Sequence, residues 1–442
     1  MPPREGAATI RMRQRDTSAV RQTLMDAYRA AVSAAHPAVC VPPHLPAPGA
    51  GRILVVGAGK ADAAMAVAVE AHYRALGALD RVSGLVSTRH GAALATERIE
   101  VLEAGHPVPD AASVEGATRA LEIVRSARPG DLVVCLMSGG ASALWAAPIE
   151  GVSFEAKQTL TRQLLRSGAS IGDMNTIRRR LSRIKGGRLQ AALPAGATML
   201  TLAISDVPGD VPAAIGSGPT VVDTTTLADA RAVLARYGVV PPPEIAAALA
   251  HPANEPWQLD ATSPPIDRFV MVAAPKGALD AAGRLLAARG YETAILGDSL
   301  EGEARDVAKA HARRALELKR RGRPSAILSG GELTVTVTGN GRGGPNQEYA
   351  LGLAIALDGA DGIAALSADT DGIDGGSGAA SDPAGAMVFP DTARRAVAAD
   401  LNAAKFLANN DSTAFFRELG DLVECGATQT NVNDFRLILV DG

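Results

Sequence analysis

Short apolar runs recur along this chain at residues 52–56, 84–87, 99–103, 132–137 and 199–204, with helical stretches between most of them. Strands joined through helices need crossover connections, and crossovers make neighbouring strands parallel. Such a sheet is covered on both faces, so its strands read as continuous apolar runs rather than alternating ones. The first half is therefore expected to be a mostly parallel α/β layer structure. Apolar runs resume at residues 268–273, 292–296, 325–328, 362–366, 386–389 and 435–440. There the spacing predicts a mixture of parallel units and a hairpin-like region over residues 325–337.

At 442 residues the chain is too long for one core, so two domains are expected. Seven of the 27 prolines lie between residues 239 and 268, which marks the boundary. The division read from sequence is an N-terminal domain over residues 1–240, a proline-rich linker over 241–267 containing a short helix at 244–250, and a C-terminal domain over 268–442. A helix over residues 17–35 precedes Pro37. Arg4, Arg11, Arg13 and Arg15 lie ahead of it without an apolar core, so they read as a frayed arm and not as a signal peptide.

The composition excludes several classes of function. A net charge of −3 carries no bulk attraction to nucleic acid or membrane, and 3% aromatic residues cannot supply a base-stacking platform. No apolar run is long enough to span a bilayer. Cys40, Cys135 and Cys425 form no C-x-x-C pair, which fits a reducing cytoplasm and neither a zinc site nor a disulfide framework.

The stretch after the strand at 325–328 is the richest in chemistry. Ser329-Gly330-Gly331 reads as a turn. Residues 332–337 then alternate, with Leu333, Val335 and Val337 on one face, as in a half-buried strand. Gly339, Gly341, Gly343 and Gly344 surround Arg342, and Pro345 opens a helix. Glycines and a helix N-terminus suit an anion, and Arg342 offers a planar fork of donors. An Asn340-Gly341 hairpin with a solvated arginine accounts for the same letters equally well.

Further stretches point the same way. Gly57-Ala58-Gly59-Lys60 follows an apolar strand and opens a helix, but Asp62 stands where a dinucleotide fingerprint needs its third glycine, and the P-loop spacing is absent. A lysine at the positive end of a helix dipole is unfavourable, so an anionic partner explains Lys60 better than an exposed turn does. Ser138-Gly139-Gly140-Ala141 repeats the strand–turn–helix pattern and can cradle an anion, or can simply pack closely. Residues 175–189 read as a basic helix ending at Gly186-Gly187. Most of its cations belong to a solvated face, with one or two, such as Lys185, able to reach an anionic substrate. Asp206 and Asp210, and separately Asp369, Asp371 and Asp374, lie in glycine-rich loops after strands. Such acids suit Mg²⁺ as well as turn chemistry. His106 stands in a stiff Gly-His-Pro loop and reads as a turn residue.

Several blocks taken together resemble the glycerate 2-kinases of the MOFRL-domain class. They are Gly57-Ala58-Gly59-Lys60, Gly105-His106-Pro107, Ser138-Gly139-Gly140-Ala141-Ser142, Lys185-Gly186-Gly187-Arg188, Ser205-Asp206-Val207-Pro208-Gly209-Asp210, Gly216-Ser217-Gly218-Pro219-Thr220, Gly341-Arg342-Gly343-Gly344-Pro345-Asn346-Gln347-Glu348 and Asn431-Val432-Asn433-Asp434. They occur in the family's order over nearly the whole chain after Thr17. Gly426-Ala427-Thr428-Gln429-Thr430 departs from the family's usual Gly-Pro-Thr-Gly-Thr. The resemblance implies two α/β domains, an N-terminal Rossmann-like three-layer sandwich and a C-terminal mixed-sheet domain, with the active site in the cleft between them. It implies ATP-dependent phosphorylation of D-glycerate to 2-phosphoglycerate with Mg²⁺, in the cytoplasm, without nucleic acid or membrane partners and compatibly with a homo-oligomer. Lys60 and Arg342 match the cations the family uses near the transferred phosphate. On this reading Gly59, Ser138, Gly139, Gly140, Ala141, Lys185, Gly341, Gly343 and Asn346 line the anionic groups. Asp206 or Asp371 holds metal, and Asp206 is also a candidate to accept the hydroxyl proton. Two rivals stand beside it: a nicotinamide-dependent hydroxypyruvate reductase, the older label in this family, and a non-catalytic sugar-acid or nucleotide sensor.

Overall fold

The computed structural model describes the backbone of residues 6–257, 268–376, 378 and 381–441, with side chains from Thr17 onward. The chain forms two compact units. One is continuous, residues 37–272; the other joins residues 1–36 to residues 273–442.

The continuous unit is built on six strands: β1 (Ile53–Ala58), β2 (Val82–Arg89), β3 (Ile99–Ala104), β4 (Leu132–Met137), β5 (Thr198–Ile204) and β6 (Phe269–Ala273). Their order in the sheet is β3-β2-β1-β4-β5-β6. The first five neighbours pair in parallel, with Ile53 opposite both Val82 and Leu132. Every residue of β1 is buried, as expected of a strand covered on both faces. The order reverses direction at β1, which has β2 on one side and β4 on the other. In open α/β sheets ligands bind outside the carboxyl ends of the strands at such a reversal.

A second core sits beside the sheet. The helices Phe154–Arg166, Ile171–Arg180, Leu227–Arg236 and Pro243–Ala250 pack through Leu160, Leu164, Ile177, Val233, Ile245 and Leu249. This corrects the division read from sequence. The helix at Pro243–Ala250 buries Ile245 and Leu249, so residues 241–250 belong to the first unit and not to a linker. β6 also belongs there, since Thr201 donates its backbone N–H to the Arg268 carbonyl at 2.8 Å. Residues 258–267, the rest of the expected linker, lie outside the described residues.

The second unit carries β7 (Glu292–Ile295), β8 (Ser325–Ser329), β9 (Ile363–Asp369), β10 (Gly385–Val388), β11 (Leu422–Val423) and β12 (Asp434–Val440), in the order β11-β10-β9-β12-β8-β7. Only β7 and β8 run parallel; the other pairs are antiparallel. The helix Gly6–Ala35 belongs to this unit. Leu24, Ala27, Tyr28, Ala31 and Ala35 recur at helical spacing and are all buried. The Tyr28 hydroxyl donates to the Asp369 carbonyl at 2.8 Å, and its ring lies 5.9 Å from that of Phe435.

The predicted hairpin is absent. β8 pairs with β7 and β12, and residues 332–337 form no strand beyond a single bridge between Thr334 and Glu303. Leu333 is buried but Val337 is 73% exposed, so the alternation has no second strand to face. Among the described residues no helix is long and apolar enough to cross a membrane.

Candidate active site

Lys60 stands beyond the carboxyl end of β1, at the point where the strand order reverses. Its backbone N–H donates to the Gly139 carbonyl at 2.8 Å, which ties the turn after β1 to the turn after β4. A Cβ placed on Gly140 would lie 3.4 Å from Lys60 Cγ and 2.9 Å from His106 Cδ2. Three loops, after β1, β3 and β4, therefore converge on one spot. Among the described residues the N–H groups of Gly139 and Gly140 donate to no protein acceptor. His106, read from sequence as a turn residue, faces this spot.

Beneath the loops lies a carboxylate that sequence reasoning read only as a defect in a fingerprint. Asp62 is fully buried, and its Oδ1 accepts from the Ser138 hydroxyl at 2.5 Å. That hydroxyl accepts in turn from the Ala61 N–H at 3.0 Å. Asp62 Oδ2 has no partner among the described residues. Burial pushes the carboxyl pKa up to about 7. A Cβ on Gly57 or on Gly59 would come within 2.5 Å of the Asp62 carboxylate. These glycines make room for Asp62 and Ser138 and not for a pyrophosphate. The Ser138 side chain, expected to bind an anion, is turned inward as part of the support, and Gly59 is a spacer.

Beside this spot opens a cavity of about 460 Å³. His106, Pro107, Val108, Gly140, Ser142 and Phe154 line it together with the cations Lys157, Arg178 and Lys185. The basic segment differs from its sequence reading. The helix runs Ile171–Arg180, and residues 181–187 form turns before a short helix at Arg188–Ala191. Its cations are not a solvated face: Arg180 is 1% exposed and paired with Asp223, which also holds Arg179 at 3.1 Å. Lys185 is 2% exposed and donates to the Ser142 carbonyl at 2.6 Å. Lys157, which carried no signal in the sequence, places its ammonium in the cavity wall with no partner among the described residues.

Asp206 and Asp210 follow β5, the neighbour of β4. Asp210 Oδ1 is buried without a partner among the described residues. No group of three His, Cys, Asp or Glu side chains gathers at metal-binding distance among the described residues. A Mg²⁺ held largely by phosphate oxygens and water needs only one or two carboxylates, and the orphaned Asp210 Oδ1 is compatible with such an ion.

In the other unit the loop around Arg342 is held by protein. Asn410 Oδ1 accepts the N–H groups of Thr338 at 2.8 Å and Gly339 at 2.9 Å. The Asn409 carbonyl accepts from Gly341 at 3.0 Å, and Asp411 Oδ1 accepts from Arg342 at 3.1 Å. Gly341 and Gly343 allow the close approach of residues 409–412, where a Cβ would strike Asp411 and Ser412. The expected backbone cradle is thus filled from within. The Arg342 side chain remains 64% exposed, with its guanidinium 3.4 Å from Asp382.

The helix N-terminus behind this loop is also occupied. Asp374 accepts from the N–H groups of Asn346 at 3.0 Å and Gln347 at 2.9 Å. Burial, with a smaller contribution from Asp434, raises its pKa to about 7. Asn346, expected to bind substrate, is 1% exposed and bonded to Asp434 at 2.6 Å and Ser367 at 2.7 Å. Asp371 folds onto its own loop: its Oδ1 accepts from Ile373 at 2.9 Å. The 369–374 acids are in large part turn and capping chemistry.

Residues 23–250 match a family described as a domain of unknown function, DUF4147, and residues 325–434 match the MOFRL family. A relative from Agrobacterium vitis with a provisional hydroxypyruvate reductase name is 47% identical over 437 residues, covering 97% of this chain and 96% of the relative. A D-glycerate 2-kinase from Thermotoga maritima is 36% identical over 431 residues, covering 96% and 99%. The crystal structure of a glycerate kinase from Thermotoga maritima is similar with a TM-score of 0.85 at 36% identity, covering 96% of this chain and 100% of that one.

Proposed function

The chain belongs to the MOFRL-class glycerate 2-kinases, and we propose that it transfers the γ-phosphoryl group of ATP to the C2 hydroxyl of D-glycerate. The observation that carries the reading is the placing of Lys60. It is pinned through its backbone to the Gly139 turn at the point of strand reversal, with two unbonded N–H groups and His106 beside it. Phosphoryl transfer asks for positioned positive charge more than for covalent chemistry. Lys60 supplies a cation on a rigid turn, and the Gly139 and Gly140 N–H groups supply donors for an anionic oxygen. Arg342 is the second cation of the proposal, on a loop whose backbone is already satisfied and whose side chain is exposed. Mg²⁺, when bound, neutralises phosphate charge; Asp206 and Asp210 would hold it, with Asp371 as the alternative. Asp206 is also a candidate to accept the hydroxyl proton.

The reductase reading meets a steric obstacle. The glycine turn after β1, the site a dinucleotide would take, is filled by the Asp62 carboxylate and the Ser138 hydroxyl. Purified protein should form ADP from ATP, Mg²⁺ and D-glycerate, with a product whose phosphorus NMR signal is that of 2-phosphoglycerate. Oxidation of NADH or NADPH by hydroxypyruvate without ADP formation would reject the proposal, and 3-phosphoglycerate as sole product would reject its regiochemistry. Asp206→Asn should keep the fold and raise the Mg²⁺ concentration needed for half activity; an unchanged metal dependence returns Asp206 to turn chemistry.

A further inference from the structure

The roles given to Lys60 and Arg342 leave the cationic cavity of the first unit unused. We propose that this cavity seats the polyphosphate of the nucleotide, with Lys157, Arg178 and Lys185 as its anion contacts. The inference rests on the phosphoryl-transfer reading and adds to it the place of one substrate.

Charge is the first argument. The cavity lining contains Lys157, Arg178 and Lys185, with Arg162 at the exposed rim, and no aspartate or glutamate. Buried cations are normally paired, because desolvation is costly. Among the described residues Lys157 Nζ is buried with no partner. Lys185 makes one bond, to the Ser142 carbonyl, and has two further donor hydrogens. Among the described residues Arg178 makes a single long contact, of 3.4 Å, to Asn175. Burial and then the nearby Arg178 charge hold Lys157 down at about 8, and Lys185 is pushed down by burial and by both neighbours. Keeping all three of these groups charged in one lining is costly unless a multivalent anion enters.

Size and lining decide which anion. A cavity of about 460 Å³ is within the range for a drug-sized ligand, and a three-carbon acid would leave most of it unfilled. Pro107, Val108, Phe154 and Leu165 add an apolar surface suited to a flat, weakly polar body. A nucleoside triphosphate has both parts, and a small hydroxy acid has only the charge. Gly140 and His106 line the cavity and also border Lys60, so a phosphate chain lying here would present its end to that lysine.

The test uses the full-length protein and a fluorescent ATP analogue, mant-ATP, in a direct titration without acceptor. Lys157→Gln and Arg178→Gln should each raise its Kd at least about tenfold, as the loss of a charged contact implies. Inorganic tripolyphosphate should displace the analogue from the wild type. The KM for D-glycerate should stay within about twofold of wild type, since the acid makes no contact there. Removing the unpartnered ammonium should leave the ligand-free Tm of Lys157→Gln unchanged or higher. An unchanged Kd in both variants overturns the proposal. So does a raised KM for D-glycerate with unchanged nucleotide binding, which would make the cavity the seat of the acid's carboxylate. Turnover of D-glycerate with variants that bind like wild type rejects the cavity and leaves the kinase standing. Binding through Lys157 without turnover rejects the acceptor and leaves the cavity.

Discussion

Arg342 and Asp62 show two opposite ways in which a charged side chain sits in a glycine-rich turn. Arg342 is exposed, and its loop is anchored by backbone bonds to residues 409–413 that do not involve the guanidinium. Arg342→Ala should therefore lose at least about a hundredfold in kcat while Tm moves by no more than about 2 °C, and Arg342→Lys should recover only part of the rate. Near-normal turnover in Arg342→Ala would make the loop purely structural. Asp62 is buried, with a folded pKa of about 7 against an ordinary 3.8. Between those values the unfolded chain gives up its proton while the folded chain keeps it. Asp62 thus makes stability fall as pH rises through that window, and makes no contribution below it. Full development of the shift corresponds to on the order of 4 kcal/mol. The Tm of Asp62→Asn relative to wild type should climb between about pH 4 and pH 7. A difference independent of pH would mean that the folded carboxyl is not perturbed.

The helix Pro345–Leu357 depends on a residue that lies outside it. Its first N–H groups would be orphaned inside the protein without the Asp374 carboxylate. Asp374 also accepts from the side chains of Asn346 and Gln347 at 3.2 Å and 3.0 Å. Asp374→Ala removes a cap and leaves several buried donors unsatisfied, which should cost on the order of 3 kcal/mol. Asp374→Asn, which keeps an acceptor, should cost less. Thermal unfolding with an unchanged midpoint for Asp374→Ala would show that water or a neighbour replaces the cap. The predicted hairpin at 325–337 failed on this scale too. Its period-two pattern was real, but a strand needs a partner edge, and both edges of β8 are taken by β7 and β12.

At the scale of the molecule, the N-terminal helix is part of the unit formed by residues 273–442. Tyr28 packs on Phe435, Arg21 pairs with Asp421 and lies 4.7 Å above the Phe389 ring, and Thr430 donates to the Ala35 carbonyl at 2.7 Å. Removal of residues 1–36 should accelerate hydrogen exchange throughout β9 and β12 and leave β1 and β4 protected. Equal exchange in β9 and β12 would show that the helix is an appendage. Nothing local announced this attachment, because sequence-adjacent segments are the default neighbours and a buried helix face does not name its partner. The parallel first sheet was legible for the converse reason: each strand, turn and helix is a local pattern, and crossover length dictates strand direction. Lys60 and Arg342 stood out because a cation among glycines is locally anomalous. The sequence could also say where the backbone must be approached closely. It could not say by what, since a ligand and a protein group demand the same missing Cβ. Only the tertiary structure showed Asp62 and Ser138 under Gly59, and Asn409 and Asp411 against Gly341. Only it set Lys157 beside Arg178 and Lys185, because a cavity wall is assembled from helices and turns that the chain brings together after they form.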